Sequence, residues 1–297
     1  MHTQAAPLPT RDGISPSYIW LPEGQWRDLL EFLGQQFPDI SETRWLQRIA
    51  KGEVVDLSGK RLLASSEVKR GMCIFYYREL EDETEIPFQA NILFQDQDLV
   101  VVDKPHFLPV TPGGRFLRET LLVRIKAQLK NDHLSPLHRL DRETAGVILF
   151  SCNPSTRGAY QSLFQQRTID KTYHALAPYL TEISFPHTHE SRMIESQQFF
   201  VMQEISGEAN SSTHITLLER RGANSLYELK PSTGKKHQLR LHLASLGAPI
   251  VNDAFYPIAL PCKGDDFSSP LQLLAKSIAF IDPINGKQRY FESLRSL

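Results

Sequence analysis

A chain of 297 residues, of which 41% are hydrophobic, is long for a single core, so we expect one large domain with a smaller companion. No stretch approaches the ~18 to 20 consecutive apolar residues of a membrane-spanning helix, which argues against a membrane protein with helical spans. The net charge of -1 shows no overall basic excess, so any surface that binds nucleic acid must be local.

The N-terminal residues 1–16 are polar and rich in proline, where a secretory signal would need a basic start and an apolar block. They predict a flexible tail and a protein that is not exported. Cys73, Cys152 and Cys262 lie far apart and form no CxxC pair, which argues against a zinc cluster and a disulfide framework. A reducing cytoplasm fits this cysteine usage best.

Residues 17–80 predict two short helices followed by a turn-rich hairpin. Ser41 is a suitable N-cap for the second helix. The apolar residues that define the two helices are Trp26, Leu29, Leu30 and Leu33, then Trp45, Leu46 and Ile49. The second helix also carries Arg44, Arg48 and Lys51 about one turn apart. These cations form either a solvated helical face or a ridge that binds a phosphate backbone.

Residues 81–88 predict an acidic linker, after which a second domain begins at about residue 89. The segment ANILFQDQDLVVVDKPHFLPVTPGG predicts two short strands and a loop rich in proline and glycine. Helical spacing returns at Leu121, Ile125 and Leu129. The segment PLHRLDRETAGVILF follows, and its GVILF part predicts a strand that is buried on both faces.

Asp141 lies in the charged loop directly before that buried strand. One interpretation is structural: Asp141 makes a turn with Thr144, and His138 and Arg139 are ordinary loop surface. The alternative is a catalytic carboxylate, because functional side chains often lie on loops that a rigid scaffold positions.

A second charged cluster lies in YELKPSTGKKHQLRLHLASLGAPIVNDAFY, which predicts a strand, a glycine turn and a helix. The leucines that can anchor the helix are Leu239, Leu243 and Leu246, and the basic residues at its start are Lys235, Lys236, His237, Arg240 and His242. The cluster is either a basic helix end on the surface or a cation presented from an anchored helix.

Two other kinds of site are disfavoured. His237 and His242 are five residues apart, off a single helix face, and the HTH of residues 187–189 is expected in a loop without acidic support, so we expect no metal site. The TGKK turn lacks the glycine spacing of a phosphate-binding loop.

Three motifs, in this order, resemble the RluA-type pseudouridine synthases: HRLDRETAG from His138, KTYHAL from Lys171, and TGKKHQLRLHLASLGAPIVND from Thr233. The segments DLVVVDKP and LLAKSIAFIDPINGKQRYFES extend the resemblance over residues 89–297. Ala145 stands where relatives commonly have Ser or Thr, and Lys235 and Lys236 replace a frequent Arg-Thr pair. Residues 17–80 loosely resemble the alpha-L type RNA-binding domain of a small-subunit ribosomal protein.

The resemblance implies an α/β (α+β) enzyme with a mixed, largely antiparallel sheet that isomerises uridine in ribosomal or transfer RNA to pseudouridine without a cofactor. Asp141 is then the carboxylate that either adds to the sugar or removes a neighbouring proton. An enclosed carboxylate needs a fixed cation to stay ionised, and by family position Arg240 supplies it. Tyr173, which from its strand pattern alone could be a core aromatic, is by resemblance the active-site tyrosine.

The resemblance also assigns RNA contacts. Arg139 is expected to enter the RNA stack as the target base leaves, and His138 is expected mainly to support the loop. Further candidates for a local basic groove are Arg44, Arg48, Lys51, Lys104, Arg115, Lys235 and Lys236. We expect a monomer with RNA as its partner. The alternatives are a non-catalytic RNA-binding or assembly protein, and a glycoside hydrolase or phosphoesterase built around Asp141 and Glu143.

Overall fold

The structure is a computed structural model that describes residues 6–78, 83–197, 200–260 and 266–297. The chain divides into two compact units. The first comprises Met1–Glu83, Pro112–Arg118 and Lys126–Asp132, and the second Thr84–Thr111, Glu119–Ile125 and His133–Leu297. Three expectations fall wholly or partly outside the described residues: the start of the N-terminal tail, the start of the acidic linker, and Cys262.

The first unit combines a three-stranded antiparallel sheet with two short helices. Its elements are β1 (Ser17–Trp20), α1 (Leu29–Gln36), α2 (Glu42–Ala50), β2 (Val54–Asp56) and β3 (Cys73–Tyr76), with β3 in the centre of the sheet. The side chains of Asp28 and Ser41 accept the backbone N–H groups of Glu31 and Arg44, so both helices begin at a side-chain N-cap. The apolar spacing then buries one face of each helix with the sheet residues in one core.

Part of the expected N-terminal tail packs against the first unit. The Tyr77 hydroxyl donates to the backbone carbonyl of Pro9 at 2.6 Å. Arg11 forms an ion pair with Glu53 at 2.6 Å, and its guanidinium lies 3.9 Å from the centre of the Tyr77 ring. The expectation of a flexible tail over residues 1–16 is therefore wrong for residues 9–14, because partners distant in sequence hold them.

The second unit is built on an 11-stranded sheet. The elements that follow β3 in chain order are β4 (Asn91–Gln95), β5 (Leu99–Lys104), α3 (Leu121–Leu129), β6 (Ser135–Pro136), β7 (Ala145–Ser151), α4 (Arg157–Gln165), β8 (Asp170–Pro178), β9 (His187–Glu195), β10 (Met202–Ile205), β11 (Ser211–Arg221), β12 (Asn224–Pro231), α5 (Gln238–Ser245), β13 (Leu273–Ile281) and β14 (Gln288–Glu292). All of them belong to the second unit except the last four residues of α3, which belong to the first. The strand order is β10-β9-β11-β12-β8-β13-β7-β5-β4, with β14 paired to β13 and β6 to β7.

The sheet is mixed and largely antiparallel, as expected. Among the described strands, the one parallel pair is β7 with β13, where Gly146 lies opposite Ala275. Gly146 has a φ of 111°, and a Cβ there would lie 2.2 Å from the Ala275 carbonyl oxygen. Glycine is therefore required where β7, which follows the Asp141 loop, meets β13.

The helix α5 packs on the middle of the sheet. Leu239 and Leu243 share a buried core with Ala175, Tyr227 and Leu229 of β8 and β12. The helix is buried on all sides over its first six residues, not on one face as the leucine spacing predicts. Across the described part of the chain, no helix is long and apolar enough to cross a membrane.

Candidate active site

The loop that carries Asp141 is fastened to the strand that follows it. The ring of His138 accepts the backbone N–H of Leu149 on Nε2 at 3.1 Å and stacks on Phe164 with ring centres 4.9 Å apart. The backbone N–H of Thr144 donates to the Asp141 carbonyl at 3.1 Å, so the predicted turn is present. These contacts hold the loop while the Asp141 side chain stays 31% exposed.

Lys104 bonds the backbone of the same loop and of the segment that follows β5. Its ammonium donates to the backbone carbonyls of Pro105, Leu108 and Arg142 at 3.0, 2.8 and 3.0 Å. Burial lowers the pKa of Lys104 to about 7, opposed in part by the charges of Glu143 and Asp141. The prediction that Lys104 contributes to an RNA-binding surface is wrong, because its side chain is fully buried.

Arg240 joins Asp141 to a second carboxylate. Its Nη1 donates to Asp141 Oδ2 at 3.1 Å, while Nε and Nη2 donate to the two oxygens of Asp253 at 2.8 and 2.6 Å. Burial lowers the pKa of Arg240, but the hydrogen bonds and charges of Asp253 and Asp141 outweigh it, so the pKa is raised overall. With Arg240 only 1% exposed, a basic helix end on the surface is excluded.

Sequence reasoning did not identify Asp253 or Gln238. Asp253 Oδ1 also accepts the backbone N–H groups of Phe255 and Tyr256, so this carboxylate orients Arg240 and is itself fixed. Gln238 fastens the glycine turn: its Oε1 accepts the Thr233 hydroxyl and the Lys235 N–H. For Gln238, one signal in the sequence was available: it is a polar residue on a helix whose other anchoring residues are leucines.

Tyr173 lies on β8, opposite Leu229 of β12 and Ala275 of β13. The residue is half-buried against the core under α5. Desolvation raises its pKa, and the negative charge of Asp141 raises it further, so the phenol is protonated at neutral pH. The structure thus brings together Asp141, Arg240 and Tyr173, which come from three separate motifs.

His237 is a further member of this group. Its Nε2 lies 3.8 Å from Asp141 Oδ2, and its Nδ1 lies 3.0 Å from the Tyr256 hydroxyl. Burial lowers the pKa of His237 to about 4, although Asp141 acts in the opposite direction. Sequence analysis identified His237 only as one of several basic residues, because nothing in the local pattern shows that its ring faces Asp141.

The remaining predicted RNA contacts differ in exposure. Arg139, Lys235 and Lys236 are exposed in the second unit, next to the Asp141 loop and the start of α5 in sequence. In the first unit, Lys51 and Arg115 are exposed and Arg44 is half-buried. Arg48 is only 4% exposed, so the predicted ridge on α2 lacks its middle cation. The Arg48 guanidinium lies 4.9 Å from the centre of the Trp45 ring.

Three potential metal ligands lie together beside α5. His189, Glu204 and His242 place their ligand atoms within 4.8 Å of one another. The prediction that residues 187–189 lie in a loop without acidic support is wrong, because they belong to β9 and His189 bonds Glu204 at 3.0 Å. However, His242 Nε2 lies within hydrogen-bond distance of the Ser191 and Ser211 hydroxyls. Its Nδ1 is buried without a partner among the described residues, so a metal-bound His242 would lack the usual acceptor for Nδ1–H.

Glu143 does not form a carboxylate pair with Asp141. Its Oε1 accepts from the Arg142 guanidinium at 2.6 Å, and its backbone carbonyl lies 2.7 Å from His106 Nδ1. The charged partner that Asp141 does have is Arg240. This arrangement does not favour a hydrolase that works with two carboxylates across a cleft.

Known proteins resemble this chain over most of its length. The family model described as RNA pseudouridylate synthase matches residues 98–245. An uncharacterised RNA pseudouridine synthase of Synechocystis sp. is 30% identical over 230 residues, which cover 77% of this chain and 79% of that protein. The mitochondrial tRNA pseudouridine(32) synthase of Saccharomyces cerevisiae is 26% identical over 242 residues, covering 78% of this chain and 51% of that protein.

A solved structure, human RNA Pseudouridylate Synthase Domain Containing 1, has the same fold. It has a TM-score of 0.57 at 22% identity and covers 70% of this chain and 84% of that one. The order of the motifs, the shared fold and the similarity to these relatives agree. The chain belongs to the RluA-type family of RNA pseudouridine synthases and is an isomerase that acts on RNA.

Proposed function

We propose that the protein converts specific uridines of ribosomal or transfer RNA to pseudouridine, with Asp141 as the catalytic carboxylate. The observation that carries this proposal is the contact of Arg240 with Asp141 at 3.1 Å, in which Arg240 is itself held by both oxygens of Asp253. The guanidinium of Arg240 is buried and permanently charged, and it holds a carboxylate that is itself partly exposed, so a substrate can reach Asp141 while its position is fixed.

The reaction is an isomerisation and is balanced without a cofactor. The bond between C1′ of the ribose and N1 of uracil breaks while positive charge develops on the sugar. Asp141 either adds to C1′ and is displaced again when C5 bonds there, or takes the proton from C2′ and returns it as that bond forms. Uracil then rotates, C5 bonds to C1′, and the loss of the C5 proton and the gain of one at N1 leave the composition unchanged.

Tyr173 lies close enough to Asp141 for the charge of the carboxylate to raise the pKa of its phenol, and its ring provides an aromatic face for the site. Uracil can stack on this ring while it is detached from the sugar, which prevents its escape. Its hydroxyl can pass on the proton that leaves C5 by accepting that proton and giving up its own. Both roles require the ring to stay next to Asp141.

The RNA contacts that we propose follow from exposure and position. Arg139 is exposed beside Asp141 in sequence and can take the place of the extruded base in the RNA stack. Lys235 and Lys236 can contact phosphates next to the target nucleotide. His138 supports the loop. We also propose that residues 17–80 form an RNA-binding domain of the alpha-L type, and that the enzyme is a cytoplasmic monomer.

The test is a map of pseudouridines in total ribosomal and transfer RNA from cells with and without the gene. One or a few positions should lose pseudouridine on deletion and regain it with the wild-type protein, but not with Asp141→Asn. The yeast relative is named as a transfer RNA enzyme, which is why transfer RNA is mapped as well as ribosomal RNA. An unchanged map in both RNA classes would contradict the proposal.

A further inference from the structure

His237 has an unusual backbone conformation for its residue type. It begins α5 with φ 55° and ψ 17°, in the left-handed region, and its side chain makes no capping hydrogen bond. A non-glycine residue in this region is strained, and such strain is found most often at functional sites. The surroundings fix the conformation, since the His237 carbonyl accepts the Leu241 N–H at 2.9 Å as the first bond of the helix.

The Tyr256 hydroxyl determines which ring nitrogen of His237 carries the proton. Its oxygen accepts the backbone N–H of Met202 at 2.8 Å, so the phenol proton must go elsewhere. Among the described residues, the one acceptor bonded to this hydroxyl is His237 Nδ1, at 3.0 Å. Nδ1 therefore accepts, and the neutral ring carries its hydrogen on Nε2. The ring is neutral at physiological pH because burial lowers its pKa to about 4.

The Nε2–H group faces Asp141 but does not reach it. The separation between Nε2 and Asp141 Oδ2 is 3.8 Å, beyond the range of a hydrogen bond. A donor and an acceptor at this separation can both bond a single hydroxyl oxygen placed beside them, which accepts from Nε2–H and donates to the carboxylate. The same carboxylate oxygen is held in position by Arg240 Nη1 at 3.1 Å.

The chemistry of a nucleotide within an RNA chain leaves one group that fits. The uracil carbonyls only accept hydrogen bonds, and the uracil N3–H only donates. The 3′ and 5′ oxygens of the ribose are phosphodiesters, so the 2′-hydroxyl is the sugar group that both donates and accepts. We infer that His237 Nε2 and Asp141 Oδ2 together bind the 2′-hydroxyl of the target uridine, which makes His237 a substrate-binding residue that distinguishes RNA from DNA. This inference rests on the proposed function, in which Asp141 faces the target sugar.

The experiment uses two synthetic RNA stem-loops that contain the mapped target uridine. They are identical except that the target sugar is ribose in one and 2′-deoxyribose in the other. The full-length wild-type protein and His237→Leu are compared on both in single-turnover and binding assays. Loss of a buried hydrogen bond should make the wild-type protein act on the 2′-deoxy RNA about tenfold to hundredfold less efficiently. His237→Leu should lose a similar factor on the ribose RNA and little more on the 2′-deoxy RNA.

His237→Gln is the matched variant. Leucine and glutamine are both unbranched at Cβ and meet the same left-handed backbone, so their folding costs should be similar. Only glutamine carries an amide N–H near the position of Nε2, and it should recover part of the preference for ribose. If His237→Leu does not fold, Tyr256→Phe replaces it: the ring is kept, but its tautomer is no longer fixed, and the preference should fall.

The outcomes separate this inference from the proposed function. A wild-type protein that modifies neither RNA contradicts the proposed function. A wild-type protein that modifies the ribose RNA and treats the 2′-deoxy RNA equally well contradicts the role of His237. Equal ribose preference in the wild-type protein and in the substituted proteins also contradicts it.

Discussion

The two units of the molecule each bury an arginine on a short helix, but they surround it differently. In the first unit, Arg48 of α2 packs its guanidinium 4.9 Å from the centre of the Trp45 ring on the same helix. In the second unit, Arg240 of α5 is held between Asp253 and Asp141, which come from loops outside the helix. The contact of interest in the second unit is that Arg240 holds a carboxylate, Asp141, whose side chain is 31% exposed and which a substrate can reach.

The units also differ in the groups that titrate and fluoresce. The three tryptophans, Trp20, Trp26 and Trp45, all belong to the first unit. The described histidines all belong to the second unit, and the most strongly perturbed are His138, His237 and His242. Acid should therefore protonate buried histidines in the second unit only. Tryptophan fluorescence can follow the unfolding of the first unit separately.

The largest effect should come from removing the carboxylate that Arg240 faces. Asp141→Asn keeps the shape of the side chain and loses its charge, and we expect the single-turnover rate to fall at least about a thousandfold. The protein should remain folded and still bind RNA. Glu143→Gln is the control, because it removes a neighbouring carboxylate that is bonded to Arg142. Comparable losses in both variants would point to two cooperating carboxylates.

The second prediction compares the two buried arginines directly. Arg240→Met leaves the fully buried Asp253 carboxylate without its partner, which should lower the free energy of unfolding by about 3 to 5 kcal/mol. Arg48→Met is the comparison at a buried arginine of the first unit, where the guanidinium packs on the Trp45 ring. Urea unfolding of both variants measures the difference.

Arg240→Met should also lower activity. Without the guanidinium, Asp141 Oδ2 loses the hydrogen bond of 3.1 Å that holds it in place, so we expect the single-turnover rate to fall about tenfold to hundredfold. Arg48→Met should keep the wild-type rate. A wild-type rate in Arg240→Met would contradict the pairing of Arg240 with Asp141.

Acid should destabilise the second unit before the first. Burial lowers the pKa of His138 to about 3 and the pKa values of His237 and His242 to about 4. Because the unfolded chain takes up these protons below pH ~6.5 and the folded chain does not, stability is complete above that pH and falls as the pH drops. Each histidine should cost about 2 kcal/mol at pH ~5.

Two optical signals measured in one acid titration test this prediction. Tryptophan fluorescence follows the first unit and should change at lower pH than far-UV circular dichroism, to which the large sheet contributes most. His138→Gln should show a smaller difference in unfolding free energy between pH 7 and pH 5. Coincident transitions would mean that the two units unfold together.

The smallest effect concerns the exposed cations of α2. Replacing Arg44 and Lys51 with alanine should weaken RNA binding and reduce the slope of log affinity against log salt by about 0.7 to 0.9 for each lost phosphate contact. Arg48→Met should leave the slope unchanged, because this side chain is buried. Binding at several salt concentrations measures all three proteins. Unchanged slopes in the double variant would make α2 a solvated helix with no role in RNA binding.

The sequence by itself determined much of the local structure. Apolar spacing and N-capping predicted α2 from Ser41 onward, and the run GVILF predicted the buried strand β7. Both follow from interactions between residues close in the chain, which a linear pattern can express. The three motifs that resemble the family are also short stretches of sequence, so they too could be recognised without the tertiary structure.

The tertiary structure decided which of these residues meet. Asp141 and Arg240 are 99 positions apart, and their contact depends on the parallel pairing of β7 with β13 and on the burial of α5. The bidentate bond to Asp253 and the approach of His237 to Asp141 have no local signature. Exposure was decided in the same way: Arg48 and Lys104 are buried although their sequence context suggested surface cations, because burial depends on what packs against a residue and not on its neighbours in the chain.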